Sequence, residues 1–540
     1  MTKVRHKTTQ GAETMRRRTF LQTASAAAFA PTSFAIAQPA GSRTLVFVPQ
    51  ANLTLLDPIF TTAQPTVHHG WAIYDLLFAV TSKLEIKPQM AEGFSLSDDD
   101  RTYTIKLRDG LKFHNGEPVR AQDCAPSLIR WARREAIGQT IWHYVDECVA
   151  QDDRTLRIKL KRPIAVFMEG LARGGASVAF IMPEHVAKTD PFKQIAEHIG
   201  SGPYRFLPDE YNSGARVAYA RFDGYLPRQE PAVWMSGGKV AHFERVEWQV
   251  IPDAATAAAA LQNGEVDWYE QVQPDLVPLL QRNAAIELGY HNPTGYNGVL
   301  RFNHLNPPFD NVAVRRAVMM AVNQDDYMAS VTAGDARAYT VCKSVFPCGT
   351  RYGVEVGGAA MQANLEKAKQ MLAASGYKGE KAVLLSPTDL TTVGPFGDVT
   401  YDLLKKIGMN VEMVATDWGS VVQRRASKEP VENGGWSVMH TWRPSTIGYT
   451  PMEHSQIRGF GNTSWFGWYK DDEMEAMIRR FVETTDPKEQ DATVLAIQKR
   501  AFDQVPYVPI GTFHIRKAYR KNLVGMVEGT APYFWNIRRV

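Results

Sequence analysis

Residues 97–119 read SDDDRTYTIKLRDGLKFHNGEPV. After five polar residues, Thr102-Tyr103-Thr104-Ile105-Lys106-Leu107 places Tyr103, Ile105 and Leu107 on one face at period two, the alternation of a strand with one buried side. Asp109-Gly110 and Asn115-Gly116 are turn dipeptides flanking the core-directed Leu111 and Phe113, so the block is expected to serve folding. The same alternation returns in Leu156-Arg157-Ile158-Lys159-Leu160. Helical patterns cover 311–322, 363–374, 399–407, 472–482 and 487–504, with stop signals at Gly376 and at Lys405-Lys406-Ile407-Gly408. Strand and helix patterns thus alternate, no repeat of about 20 to 50 residues intervenes, and the chain reads as α/β or α+β.

The 540 residues are 44% hydrophobic and 22% charged, which excludes a disordered polymer and a multi-span membrane protein. Residues 1–37 hold six Lys or Arg against one acid, so of the net +4 they account for +5 and the other 503 residues for −1. No basic run follows Arg18 beyond pairs such as Arg133-Arg134, Arg315-Arg316 and Arg424-Arg425, and no nucleic-acid partner is expected.

Residues 15–37, MRRRTFLQTASAAAFAPTSFAIA, have a cationic start, an apolar part of about 14 residues broken by Pro31, and small residues at Ala35 and Ala37. That is a cleavable export signal, too short for a span of roughly 20 residues. Arg17-Arg18-Thr19-Phe20-Leu21 resembles the twin-arginine signal that sends folded cargo to the bacterial Tat exporter. The alternative is a Sec signal whose arginines are only its charged start. Cleavage is expected after Ala37. No later stretch has 18 uninterrupted apolar residues, and the first cysteine, Cys124, comes too late for a lipid anchor, so a soluble periplasmic protein is expected. Cys342 and Cys348, with Pro347 between them, are the candidate disulfide; Cys124 and Cys148 either pair or stay as thiols. No cysteine or histidine spacing suits zinc, and neither a structural metal nor a cofactor is expected.

Pro and Gly clusters at 200–203, 237–238, 292–295 and 506–511 mark boundaries. The pieces are domain-sized only if the first and last join, which describes a chain that leaves a domain and returns by crossover strands able to act as hinges.

A series of blocks then occurs in a telling order: Leu56-Asp57-Pro58, Tyr74-Asp75-Leu76-Leu77, KPQMAEGF at 87–94, the 97–119 block, GSGPYRF at 200–206, ALQNGEVD at 260–267, Phe302-Asn303 with Pro307-Pro308-Phe309-Asp310, and Val314-Arg315-Arg316-Ala317. Together, over roughly 45–520, they resemble the extracellular solute-binding proteins of the peptide, nickel and opine family (family 5), which serve ABC importers. The resemblance implies an α/β, two-lobed periplasmic binding protein, type II-like with an extra domain, built of mixed sheets flanked by helices. It would put domain I in 41–75, 205–290 and 505–540, domain II in 76–204, and the second lobe (domain III) in 291–504. It implies a monomer that captures a small molecule, peptide-like, opine-like or otherwise carboxylate-bearing, and delivers it to an ABC permease without catalysing a reaction.

In that family a segment from an acid-Trp pair to a Gly-Trp lines the cleft; here it runs from Asp417-Trp418 to Gly435-Trp436 and on to Arg443-Pro444. Peptide binders of the family carry an Asp three positions after the second Trp to hold the ligand's amino group, and this chain has Met439 there. A free α-amine would lose a charged hydrogen bond worth about 1.5–3 kcal/mol. Trp418, Trp436 and Trp442 are the candidate walls, Arg443 the candidate anion donor, His440 a directional hydrogen-bond group, and His69 a candidate from the other lobe. The competing reading packs the Trp rings in the core and pairs Arg443 with a protein acid. His68 and His69 are adjacent and cannot put both rings on one side of a strand, so chelation by them is not expected. No His-Glu-x-x-His, Gly-x-Ser-x-Gly or Walker loop is present, which leaves an exported hydrolase with a dispersed triad, or a sensory or chaperone-like binding protein, as the lesser readings.

Overall fold

Thr44–Val48 (TLVFV) has four of its five residues buried, as a strand covered on both faces must. It runs parallel to Arg245–Gln249 and to Trp268–Val272, with Phe47 edge-on to Trp248, Trp268 and Phe534 at 5.0 to 5.6 Å. These strands sit in the middle of a seven-stranded mixed sheet ordered Ile286–Tyr290, Arg516–Arg520, Trp268–Val272, Thr44–Val48, Arg245–Gln249, Arg216–Arg221, Tyr204–Phe206. The computed structural model describes residues 43–540 except 84, 165, 174–176, 291, 293 and 485; the leader expected at 1–37 lies outside the described residues.

Thr102–Leu107 pairs antiparallel with Ala91–Leu96 and Thr155–Leu160, and Val145–Ala150 completes a four-stranded sheet. Tyr103, Ile105 and Leu107 are its buried face. A six-stranded sheet makes the second lobe, in the order Tyr339–Thr340, Tyr507–Phe513, Tyr296–Phe302, Val438–Pro444, Ala382–Pro387, Val411–Thr416. Tyr507–Phe513 therefore belongs to this sheet, and the chain re-enters the seven-stranded sheet after Phe513.

The chain passes between the sheets twice, from Tyr290 to Tyr296 and from Phe513 to Arg516, and these crossings lie side by side. Gly295 turns the first at φ +78°, where a Cβ would stand 3.1 Å from the Phe513 carbonyl, so only glycine fits.

Helix ends follow local chemistry. Asp253, Asn311, Asn364, Asp417, Asp471 and Asp486 each accept a backbone N–H from the first turn of the helix they precede. The helix expected over 399–407 begins instead at Gly394, because Pro395 occupies the first turn, where a missing N–H is harmless. Two buried ion pairs lock the first lobe: Arg130 grips both oxygens of Asp57 at 3.2 and 2.7 Å, and Lys239 meets Asp75 at 2.8 Å while lying over the Trp71 and Trp535 rings.

Candidate functional site

Asp389 accepts the Trp418 N–H at 2.6 Å and Asp417 accepts that of Ser420 at 2.9 Å, which fixes the start of helix Trp418–Arg424. Arg425 follows seven residues after Trp418, two helical turns, so both side chains leave the same face and the guanidinium lies 5.6 Å from the indole. Phe466 and Trp465 flank it at 4.6 and 5.9 Å. Arg425 is 1% exposed, and among the described residues its side chain makes one hydrogen bond, to the first lobe, from Nη2 to Thr61 Oγ1 at 3.2 Å. Its Nε has no partner, and among the described residues no acid pairs with it. Burial alone pulls its pKa down to about 9.

The lobes meet elsewhere through polar contacts. Trp465 Nε1 donates to Thr62 Oγ1 at 3.1 Å, and Tyr144 donates to Glu483 at 2.6 Å. Arg458, held by Glu475 at 2.6 Å, donates to the Ala136 carbonyl at 2.9 Å and to the Thr140 hydroxyl. Near the crossings, Trp442 Nε1 donates to Thr392 Oγ1 at 3.0 Å, and Thr392 donates to Gln271 of the first lobe at 3.1 Å.

The sequence-derived candidates separate on inspection. Trp418 and Trp442 are buried, and Trp442 packs edge-on to Tyr296 with ring centres 4.4 Å apart. Trp436 is fully enclosed, donates to the Arg425 carbonyl at 3.0 Å and packs against Trp468. Met439 lies in the interior of the central strand Val438–Pro444. Counting three from Trp442 instead reaches Ser445, whose hydroxyl is buried without a hydrogen bond. No acid stands at either position.

Adjacent residues of a strand face opposite ways, so Trp442 and Arg443 are not brought together. Arg443 donates to the carbonyls of Val345, at 3.0 Å, and Ile447, and touches His454 at 2.9 Å. Val345 lies in the loop closed by the bond between Cys342 and Cys348; Cys124 and Cys148 are free thiols. His440 shares the Thr400 hydroxyl with Tyr327, at 2.8 and 2.7 Å, and burial drives its pKa down to about 3.

His68 and His69 stand on helix Gln64–Ile73, not on a strand, and diverge about its axis. His69 meets the Tyr219 hydroxyl at 2.9 Å and is held well below its ordinary pKa by burial, then by His198. His68 instead reaches Glu270 at 3.4 Å. Glu270 accepts the Gln50 N–H at 2.7 Å and is pushed up to about 8 by burial. The pKa of the Tyr296 hydroxyl, from the second lobe, is raised by burial and then by the electrostatic influence of Glu270 and Tyr533.

Sequence reading missed Arg425, Glu270 and Tyr296, and weighed His68 only for chelation. For Arg425 there was a usable signal, its spacing of seven from Trp418 on a helix; for Glu270 and Tyr296, on two separate strands, there was none.

Residues 85–456 match the family model described as bacterial extracellular solute-binding proteins, family 5 middle. The chain is 36% identical over 492 residues to the probable peptide ABC transporter periplasmic-binding protein y4tO of Sinorhizobium fredii, covering 90% of this chain and 92% of that one. It is 27% identical over 493 residues to the glutathione-binding protein GsiB of Escherichia coli O157:H7, covering 88% and 90%. Among solved structures it resembles the periplasmic binding protein AgaA of A. tumefaciens R10 in complex with agropinic acid, with TM-score 0.77 and 20% identity over 92% of this chain and 99% of that one.

Proposed function

The chain belongs to the bacterial extracellular solute-binding proteins, family 5, and from that premise we propose that it is a periplasmic receptor that encloses a carboxylate-bearing small molecule between its lobes and delivers it to an ABC permease. The observation that carries the reading is the seam between the lobes, closed by Arg425 on Thr61, Trp465 on Thr62 and Arg458 on Ala136. Each bond joins residues more than 300 positions apart in sequence and leaves the backbone of neither sheet engaged, so the seam can part while the sheets stay whole. The ligands named for the relatives, a peptide, glutathione and agropinic acid, all carry carboxylates, which supports that class.

In this reading Trp418 and Trp442 wall the ligand's space, while Trp436, His440, Arg443 and His69, each engaged with protein groups, support it from behind. Domain I takes the strands of the seven-stranded sheet, domain II residues 76–204, and the second lobe residues 291–513. The leader at 1–37 takes the chain out of the cytoplasm by the twin-arginine route, and the receptor acts as a monomer. Replacing Arg17 and Arg18 by Lys should abolish export if the route is Tat and leave it intact if it is Sec.

A thermal-shift screen of the exported chain against peptides, opines, organic acids, sugars and metal chelates tests the receptor reading. A compound at 100 times its Kd adds about 2.7 kcal/mol of stability. A chain that no class stabilises is not a receptor of this kind. A chain that binds a solute but stimulates no permease-ATPase of its own cell is a sensory binding protein instead.

A further inference from the structure

A disulfide joins Cys342 to Cys348 across a loop of the second lobe, and the loop's middle residue, Val345, points its carbonyl at buried side chains. Arg443 donates to that carbonyl at 3.0 Å and Tyr507 at 2.9 Å, and Nε2 of His454 lies 2.7 Å from it. Three buried side chains thus share one acceptor. The other backbone acceptor of Arg443 is the Ile447 carbonyl, so among the described residues backbone oxygens, not an acid, offset this guanidinium. Losing the Val345 carbonyl would leave a buried cation short of a partner. The two halves of the loop are held differently. Gln324 accepts the Cys342 N–H at 2.6 Å and donates to its carbonyl at 2.8 Å, and Gln498 accepts from the Ser344 hydroxyl at 2.7 Å. Past Val345, every hydrogen bond of Phe346, Pro347 and Cys348 among the described residues stays within 342–353. Apart from the packing of Phe346 on the His454 ring at 5.5 Å, the disulfide is the tie that fastens the second half to the anchored first. Access is as uneven: Cys342 is buried, whereas Cys348 is half-buried and borders the exposed Gly349 and Thr350. Burial raises the Cys124 thiol well above its ordinary pKa and the Cys148 thiol to about 12. The thiolate is the species that exchanges with disulfides, so at neutral pH these two stay out of such chemistry.

We propose that Cys348 is a thiol–disulfide exchange site, and that the state of its bond to Cys342 decides whether the Val345 carbonyl holds Arg443, His454 and Tyr507 in place. In reduction, a thiolate of an incoming dithiol attacks Sγ of Cys348, the bond to Cys342 breaks, and Cys342 leaves as a thiolate that takes up a proton. The second thiol of the reductant then displaces Cys348 from the mixed disulfide. Two electrons and two protons pass from the dithiol to the cysteine pair, and the reductant ends as a disulfide. Oxidation is the reverse, with a disulfide-bearing oxidant as the acceptor. Once the bond is open, residues 346–348 keep only their local contacts, and the Val345 carbonyl moves with them. The inference rests on the receptor reading and the twin-arginine route for its purpose alone: a chain that folds in the reducing cytoplasm keeps this part of the second lobe slack until it meets an oxidant outside.

The test is hydrogen–deuterium exchange read by mass spectrometry on the folded chain, before and after dithiothreitol, with iodoacetamide labelling alongside. Dithiothreitol should open the disulfide without denaturant. Iodoacetamide should then label Cys348 at least tenfold faster than Cys342 and leave Cys124 and Cys148 unlabelled. Exchange should rise at least tenfold in 342–348 and also in 442–457, the stretch that carries Arg443 and His454, and stay unchanged in 102–107. Untreated Cys348→Ser should match the reduced wild type. A disulfide that resists dithiothreitol in the folded chain, or a rise confined to 342–353, would overturn the proposal. A rise that extends to 102–107 is general unfolding and would overturn it too. Should Cys348→Ser not fold, the reduced wild type, folded before treatment, carries the decision. These readouts use neither solute nor permease, so a solute screen that finds nothing sinks the receptor reading and leaves the exchange site standing.

Discussion

Glu270 is fully enclosed, and its carboxyl keeps its proton up to about 8. An unfolded chain releases that proton near pH 4.3. Below that value both states hold it, and between the two values only the folded state does. Stability is therefore fully present at low pH, falls as pH rises through the window, and levels off above the folded value. The slope is at most about 1.4 kcal/mol per pH unit, moderated by the His68 imidazole at 3.4 Å. Glu270→Gln should remove this component, so urea unfolding at a series of pH values should show the variant gaining on wild type between pH 5 and 8. A constant difference across that range would count against it. Asp57→Asn leaves Arg130 buried beside a neutral amide, and breaking such a pair costs about 3–5 kcal/mol, visible as a large drop in Tm.

At the scale of elements, helix Trp418–Arg424 fixes the positions of both Trp418 and Arg425, and Asp417 fixes the helix. Asp417→Ala removes the cap from Ser420 and should lower stability by about 1 kcal/mol in chemical denaturation. The same variant should weaken ligand binding, since fraying the first turn frees Trp418; an unchanged dissociation constant would detach this helix from the site. Elements were the part of the molecule most legible in the sequence. The alternation at Tyr103, Ile105 and Leu107 could be read because one face of that strand is wet, and the caps at Asn311, Asp471 and Asp486 because capping is local chemistry. Which tryptophan is sealed in the core was not legible in the same way. Trp436 and Trp442 lie six residues apart around one central strand, and only the packing of the neighbouring strands and of Trp468 shows that the first is sealed inside. The isolation of Arg425 is likewise a property of what is missing around it in three dimensions, and an Arg-Arg pair in sequence looks like any solvated surface pair.

For the molecule as a whole, the seam sets how long a ligand stays. Arg458 is oriented by Glu475, and it reaches across to Thr140 and Ala136 on the other lobe. Thr140→Val keeps the shape of the side chain and removes the acceptor. A hydrogen bond to a charged group is worth about 1.5–3 kcal/mol, so stopped-flow release of a bound ligand should quicken roughly tenfold or more while Tm without ligand changes little. Release at the wild-type rate would place the controlling contacts elsewhere along the seam. The two-lobed architecture itself was implied by the family resemblance that ordered blocks spread over the chain carry, rather than by any single block.

The strand Arg516–Arg520 lies between Ile286–Tyr290 and Trp268–Val272, two strands made more than two hundred residues earlier. A ribosome still short of this strand has already issued every strand of the six-stranded sheet, yet the seven-stranded sheet lacks the strand that attaches Ile286–Tyr290 to the rest. Insertion of this late strand joins Ile286–Tyr290 to the rest of the seven-stranded sheet, and a chain released before it carries an open strand edge, a mark by which proteases and chaperones can sort unfinished copies from finished ones.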